Sequence, residues 1–286
     1  MVAHFDHAVI AVNDLDDAIR RYRALGFVVS PGGYRPAMGT RNALIRFGQA
    51  YIELLSIYDE MLAEASGSSG QALLNFLRKR DGGLLGYALA TTDIRQEEAR
   101  LHSVGFLGDR ALAMQCMCLD GHVLAWHLLV PGNVAWRRPW PCLIQWDSPD
   151  EQEELCNHEN GVIGCAGIEL MTRNLEKTIN FYQCALGLEL GSREEVAPLS
   201  ARRATFYLSS AEIDVLAPVS GSPVQRLLDE IGEGPFEITL AVKDLDQTCT
   251  YFAQKGIALE PHETHPSHML LPTRSTCGAR LVLVEG

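Results

Sequence analysis

No apolar run in this chain approaches the roughly 18 residues needed to span a bilayer. Its start, MVAHFDHAVI, has no basic stretch followed by an apolar one, so the expectation is a cytoplasmic protein without a leader or membrane partner. Basic residues are scarce: 24 Lys and Arg stand against 36 Asp and Glu, a formal charge of -12. Such a balance repels phosphate backbones and excludes nucleic acid as an expected partner. Also missing are a GxGxxG opening a helix, a P-loop, a GxSxG elbow and the kinase motifs, which removes dinucleotide-binding, NTPase, hydrolase and kinase chemistry. Zinc-finger spacing is absent as well. The eight cysteines are scattered, and the close pair Cys116 and Cys118 has no second Cys or His pair after it, so they read as buried, reduced thiols.

What the chain does have is a phrase written four times: an apolar strand, a capping Asp or Asn, a helix, then a glycine before another strand. The copies are AVNDLDDAIRRYRALGF from Ala11, ATTDIRQEEARLHSVGF from Ala90, LMTRNLEKTINFYQCALGLEL from Leu170 and AVKDLDQTCTYFAQKGI from Ala241. Asp14 to Gly26, Asp93 to Gly105 and Asp244 to Gly256 are each twelve positions apart, and Asn174 to Gly187 is thirteen. Strand-like segments follow each helix, giving a βαβββ unit that must bury its apolar face on a neighbour. With 286 residues and 47% apolar content, the chain is long enough for two compact domains.

Two links break the pattern. Residues 66–69 are a Ser/Gly stretch leading into an inserted helix, QALLNFLRKR, over residues 70–80. Residues 136–161 carry Trp136, Trp140 and Trp146 among prolines and then an acidic run. They read as a linker whose tryptophans plug the seam between an N-terminal domain, 1–135, and a C-terminal domain, 162–286.

Paired βαβββ units with a His early on the first strand and a Glu on the last resemble the vicinal oxygen chelate superfamily (the glyoxalase, bleomycin resistance protein and dioxygenase type), and within it the glyoxalase-like domain family. The carrying residues are FDHAVIAVNDLDDAIRRYRALGF, SPGGYRPAMGTRNALIRFG, YIELL and RPWPCLIQWDSP. The resemblance implies an α+β fold of two cupped, eight-stranded mixed sheets, each made of two units and holding a ligand in its pore. It maps pore positions to His7 and Glu53, as ligands of one divalent ion such as Zn, Ni, Mn or Fe, or as an acid/base pair. It further implies lyase, isomerase or dioxygenase chemistry on a small oxygen-rich metabolite; the alternative is a non-catalytic binding or drug-sequestering protein. A second copy of the chain is the expected assembly partner.

Counting back from the capping residues, the equivalents of His7 are Gly86, Gly167 and Glu237, and strand register offers Trp126, Asp214 and Val282 for Glu53. A one-residue slip would exchange Trp126 for His127, a third metal ligand. YIELL flanks Glu53 with apolar neighbours, so its carboxylate needs a partner, and His7 is the natural one. GGYRPAMGTRN reads as a loop at the cup mouth presenting Arg35, Thr40 and Asn42 to substrate. Arg35 stands where the family commonly has a histidine and would suit a ligand carboxylate. His262, His265 and His268 read as a solvated or adventitiously metal-binding loop, and Asp214 with Glu237 as a degraded second site.

Overall fold

The computed structural model of the chain describes all residues except 107–109, 118–122, 149–155 and 210. Cys118 and the acidic run from Asp150 lie outside the described residues.

Each repeated phrase becomes a strand and a capped helix. Strand β1 (Val2–Val12) leads into α1 (Leu15–Ala24), β5 (Gly82–Thr91) into α4 (Ile94–Ser103), β9 (Val162–Met171) into α5 (Leu175–Asn180), and β13 (Gly234–Val242) into α7 (Leu245–Gln254). The caps are local chemistry: the side chains of Asp14, Asp93, Asn174 and Asp244 accept from the amides of Asp17, Gln96, Lys177 and Gln247. The closing glycine is needed because the chain leaves each helix with positive φ, +86° at Gly26.

Three more strands complete each unit. They are β2 (Ser30–Arg35), β3 (Thr40–Phe47) and β4 (Ala50–Ile57) in the first, and β6 (Leu112–Met117), β7 (Val123–Leu129) and β8 (Cys142–Trp146) in the second. The third unit has β10 (Leu190–Val196), β11 (Ala201–Tyr207) and β12 (Glu212–Pro218), and the fourth β14 (Glu260–Pro261), β15 (Met269–Leu270) and β16 (Arg280–Glu285). The first sheet runs β2-β3-β4-β1-β5-β8-β7-β6 and the second β10-β11-β12-β9-β13-β16-β15-β14. Within each sheet two units meet through the antiparallel pairs β1/β5 and β9/β13, as expected for two cups.

Three expectations are corrected. Residues 136–161 are not wholly a linker: β8 pairs parallel with β5 and completes the first sheet, because the long Pro-rich connection from β7 returns the chain to the sheet. GGYRPAMGTRN is a hairpin and only in part a loop: Gly32 to Arg35 lie on β2, Thr40 begins β3, and of the turn between them Ala37 and Met38 line the first cup. Of the three tryptophans only Trp140 sits at the seam, against Phe106 and Phe181, while Trp136 and Trp146 turn into the first cup. The inserted helix is longer than its motif, α3 (Ser68–Lys79), preceded by α2 (Glu60–Ala65); a further helix, α6 (Pro223–Ile231), occupies the corresponding link of the second half. Among the described residues no helix is long and apolar enough to cross a membrane.

Strand alternation divides the two faces. Ala8, Ile10 and Val12 join a core shared by both sheets, which includes Tyr22, Phe206 and Phe252, while Val9 and Ala11 face the cup beneath α3. The halves are also clasped by Arg137. With φ at 53°, it donates to the carbonyls of Leu84 at 3.1 Å, Pro235 at 2.5 Å, Gly232 at 2.9 Å and Ile231 at 3.2 Å. Burial, then the neighbouring Arg80, lowers its pKa to about 10, and carbonyl dipoles stand in for a carboxylate. Removing it leaves several acceptors unmatched, at roughly 1–3 kcal/mol each when buried. Arg137→Ala should therefore lower unfolding free energy by roughly 3 kcal/mol in urea denaturation. Arg137→Lys should recover less than half, since an ammonium cannot span four carbonyls; full recovery by Lys would contradict the clasp.

Candidate active site

The floor of the first cup begins with an irregularity. The β1/β5 ladder shifts register between Phe5 and His7, so consecutive side chains no longer alternate, and the Asp6 carboxylate reaches His7 Nδ1 at 2.5 Å. Asp6 is 1% exposed, and its second oxygen accepts from Trp146 Nε1 at 2.8 Å. A carboxylate accepts, so Nδ1 carries the proton and Nε2 is left to the cavity. Tyr51 stacks on the imidazole with ring centres 4.6 Å apart. Asp6 was missed in the sequence because strict alternation puts it on the other face from His7.

Glu53 stands opposite Val9 in the parallel β1/β4 ladder and is 2% exposed. Its partner is Arg35 rather than the expected His7: Arg35 Nη2 lies 2.8 Å from Oε1, and Asn42 Nδ2 donates to the same oxygen at 2.6 Å. Burial raises the Glu53 pKa, but Arg35, His7 and the Asn42 hydrogen bond together outweigh it, and the carboxyl is held below its usual range. Burial likewise works against the Arg35 charge, yet Glu53 and Tyr51 keep its pKa raised. Thus Arg35 is already paired within the protein, contrary to its expected role of meeting a ligand carboxylate.

These groups line one cavity of about 410 Å³, with His7, Glu53, Arg35, Thr40, Tyr51 and Trp126 on its wall. Asn42 acts through Glu53. Helix α3 closes one side with Ser69, Gly70 and Leu73, and Trp136 and Trp146 add aromatic surface. His127 is not brought in: it lies in a groove with Glu98 and His102 on the opposite face of β7, 3.3 Å from Asp147. His122 lies outside the described residues. Trp126 shares the cavity but is not the counterpart of Glu53. The β5/β8 register pairs Ala88 with Cys142 as β1/β4 pairs Val9 with Glu53, so that place belongs to Cys142.

The four pore positions do not fit a divalent ion. His7 offers Nε2. Glu53 has Oε1 engaged, and the fixed Arg35 cation beside it opposes a second positive charge. The third position is Gly86, where a Cβ would fall 2.6 Å from the Trp136 ring, so the indole fills the space a ligand side chain would need. At the fourth, the Cys142 thiol is buried and directed at the Ala135 carbonyl, 3.9 Å away. Among the described residues no group of three or more His, Cys, Asp or Glu has an arrangement for metal.

The second cup is larger, about 730 Å³, and strongly charged. Glu169 on β9 is flanked across the ladders by Asp214 and Glu237. Arg203, 5% exposed, holds Glu169 at 3.0 Å, and Arg280 Nε holds Glu237 at 3.0 Å. The expected solvated histidine loop is corrected here. His262 is 6% exposed, and its Nδ1 accepts from the amides of Thr264 and His265, so Nε2–H donates to Glu237 at 3.1 Å. The pair Asp214 and Glu237 therefore comes with Glu169, Arg203 and histidines that register alone did not bring together.

A family model described as glyoxalase-like domain matches residues 5–224. A search of curated proteins found no match. Among solved structures, a hypothetical protein from Staphylococcus aureus is 15% identical with a TM-score of 0.69, covering 99% of each chain. A triple mutant of 4-hydroxymandelate synthase from Streptomyces coelicolor is 13% identical with a TM-score of 0.65, covering 100% of this chain and 94% of that one. At these identities both likenesses concern the fold.

The carboxylate row has a measurable consequence. Burial first, then repulsion from Glu237, pushes the Glu169 pKa up to about 8 in the folded chain. An acid whose folded pKa is raised contributes stability below its unfolded value near 4.5, and that stability is lost as pH rises through 8. Glu169→Gln removes this dependence. The melting temperature of the variant minus that of wild type should rise between pH 5 and 8.5 by a few degrees, then level off. A difference that stays constant or falls would contradict the raised pKa.

Proposed function

The chain belongs to the glyoxalase-like domain family, and from that premise we propose that its N-terminal cup is an acid–base active site for a small carbonyl compound. The supporting observation is that His7, backed by the Asp6 carboxylate, and the Arg35–Glu53 pair line one cavity. His7 Nε2 is the base. Asp6 fixes its tautomer and orientation, as a carboxylate does for a catalytic imidazole, and Trp146 and Tyr51 hold the two in place.

Removing a proton from carbon next to a carbonyl leaves negative charge on the carbonyl oxygen. Arg35 and Thr40 line the cavity from adjacent strands, and the guanidinium supplies the matching positive charge. Glu53 and Asn42 keep Arg35 extended toward that point. Return of the proton from the imidazolium completes an isomerisation, and departure of a β-substituent instead makes the reaction a lyase step. No step is routed through a metal, because the donor set does not fit one. The second reading, sequestration without turnover, is favoured by the tilted Trp126–Trp146 pair, ring centres 5.2 Å apart, on the same wall.

Loss of the α-proton signal in D2O, followed by NMR for a panel of 2-oxo acids, 1,3-diketones and aryl ketones, tests the base. Wild type should catalyse exchange for at least one member, and His7→Ala and Asp6→Asn should slow it by about 10²–10⁴-fold and at least tenfold respectively. Exchange at the wild-type rate in His7→Ala, or none with any member, would contradict the proposal.

A further inference from the structure

One row of residues crosses the floor of the first cup on three adjacent strands, β4, β1 and β5: Val9 stands opposite Glu53 on one side and opposite Gly86 on the other. At the first end is the Arg35–Glu53 pair. At the second end the main chain offers no side chain, and the Trp136 ring takes the space, 2.6 Å from where a Cβ on Gly86 would fall. The cavity wall at that place is therefore Trp136. Two strand spacings of about 4.8 Å put the ends of the row roughly 10 Å apart along the sheet. His7 lies in the neighbouring row, opposite Tyr51 and Ala88.

The indole is seated, not free to swing. Next to it in sequence, the Arg137 amide donates to the Leu85 carbonyl at 2.9 Å, and the Arg137 guanidinium holds the four carbonyls of the clasp. On its other side the Ala135 amide donates to Ser69 Oγ of α3 at 3.4 Å. The ring packs against the cluster of Val9, Leu55, Leu73 and Leu85. Beside this wall the floor is low, because Ala88 and Cys142 stand opposite each other on β5 and β8. Farther along the sheet the cavity is lined by Met114, Trp126, Leu128 and Ile144. The space thus has room for an apolar body over β6, β7 and β8, and a hard stop toward Gly86.

We infer that Trp136 is the specificity-determining residue of the first cup, a wall that admits a carbonyl compound with an aromatic or alicyclic body over Met114 and Trp126 but only a short group on the Gly86 side of its carbonyl. Aryl methyl ketones fit this description, and longer acyl chains do not. This deepens the proposed function and rests on the first cup being the substrate site. The reason is packing: a longer chain must displace an indole whose neighbours in sequence are tied to β5 and α3, and a close-packed wall yields no room for an added methylene without strain. The ring that stands in place of a side chain at the third pore position thereby sets the size limit.

Calorimetric titration with acetophenone and valerophenone, whose acyl chains differ in length, tests it. Each methylene that finds room is worth about fourfold in affinity, so an unobstructed cup would favour valerophenone by roughly sixtyfold. Wild type should bind the two within about threefold of each other, or acetophenone more tightly. Trp136→Ala and Trp136→Leu should each shift the ratio toward valerophenone by at least about tenfold, and Trp136→Phe, which keeps most of the wall, by less than about threefold. Thermal melts verify that the variants fold, and a purely structural Trp136 would weaken both probes together and leave the ratio unmoved. A wild-type preference of about tenfold or more for valerophenone, a ratio unchanged in Trp136→Ala and Trp136→Leu, or no binding of either probe at millimolar concentration would overturn the inference. Should neither variant fold, the wild-type ratio alone decides. Binding does not need the base, so His7→Ala should keep the wild-type ratio. A ratio that shifts as expected without proton exchange would defeat the catalytic reading alone, and exchange by wild type with an unmoved ratio would defeat this one alone.

Discussion

A carboxylate buried on the floor of a cup has to be neutralised, and the way Glu53 is neutralised governs the rest of the site. In this chain a guanidinium does it, 2.8 Å away, with Asn42 on the same oxygen. Removing one partner of such a buried pair typically costs about 3–5 kcal/mol. That coupling gives β2 a reason to lie against β3 with Arg35 turned inward. The same guanidinium takes the place a divalent ion would need beside Glu53. It also occupies Arg35 with a carboxylate of the protein itself.

The second cup meets the same requirement with a different balance. Arg203 pairs with Glu169, and His262 and Arg280 with Glu237. Asp214 stands in the same row, its carboxylate accepting from Thr205 at 2.5 Å. Burial first, and then the like charge of Glu237 across the ladder, raise the Glu169 pKa. The first cup is apolar with a few directed groups; the second is a charged basin. One scaffold thus carries two chemically distinct cavities, and the two sheets share one hydrophobic core.

The four units were legible because their signals are local: a capping oxygen, a helical period and a glycine that must leave the helix with positive φ. The placement of His7, Glu53 and Trp126 on one cavity followed from strand alternation and the family resemblance. Where the sequence misled, a non-local contact overrode a local rule. The β1 bulge brings Asp6 beside His7 against alternation. Arg35 looks like a loop residue among glycines and a proline until the β2/β3 pairing fixes it. Trp136 and Cys142 sit in a Pro-rich stretch that resembles a linker, yet the chain returns through it to complete a sheet, and the indole fills the space left by Gly86. His262 is buried because Glu237 on another strand needs its proton.

Metal uptake measures the central claim directly. Untagged protein equilibrated with zinc, nickel or manganese, then desalted and assayed by elemental analysis, should hold the same amount of metal as its His7→Ala and Glu53→Gln variants, because Arg35 rather than a metal neutralises Glu53. Stoichiometric metal in wild type that disappears in both variants would contradict it.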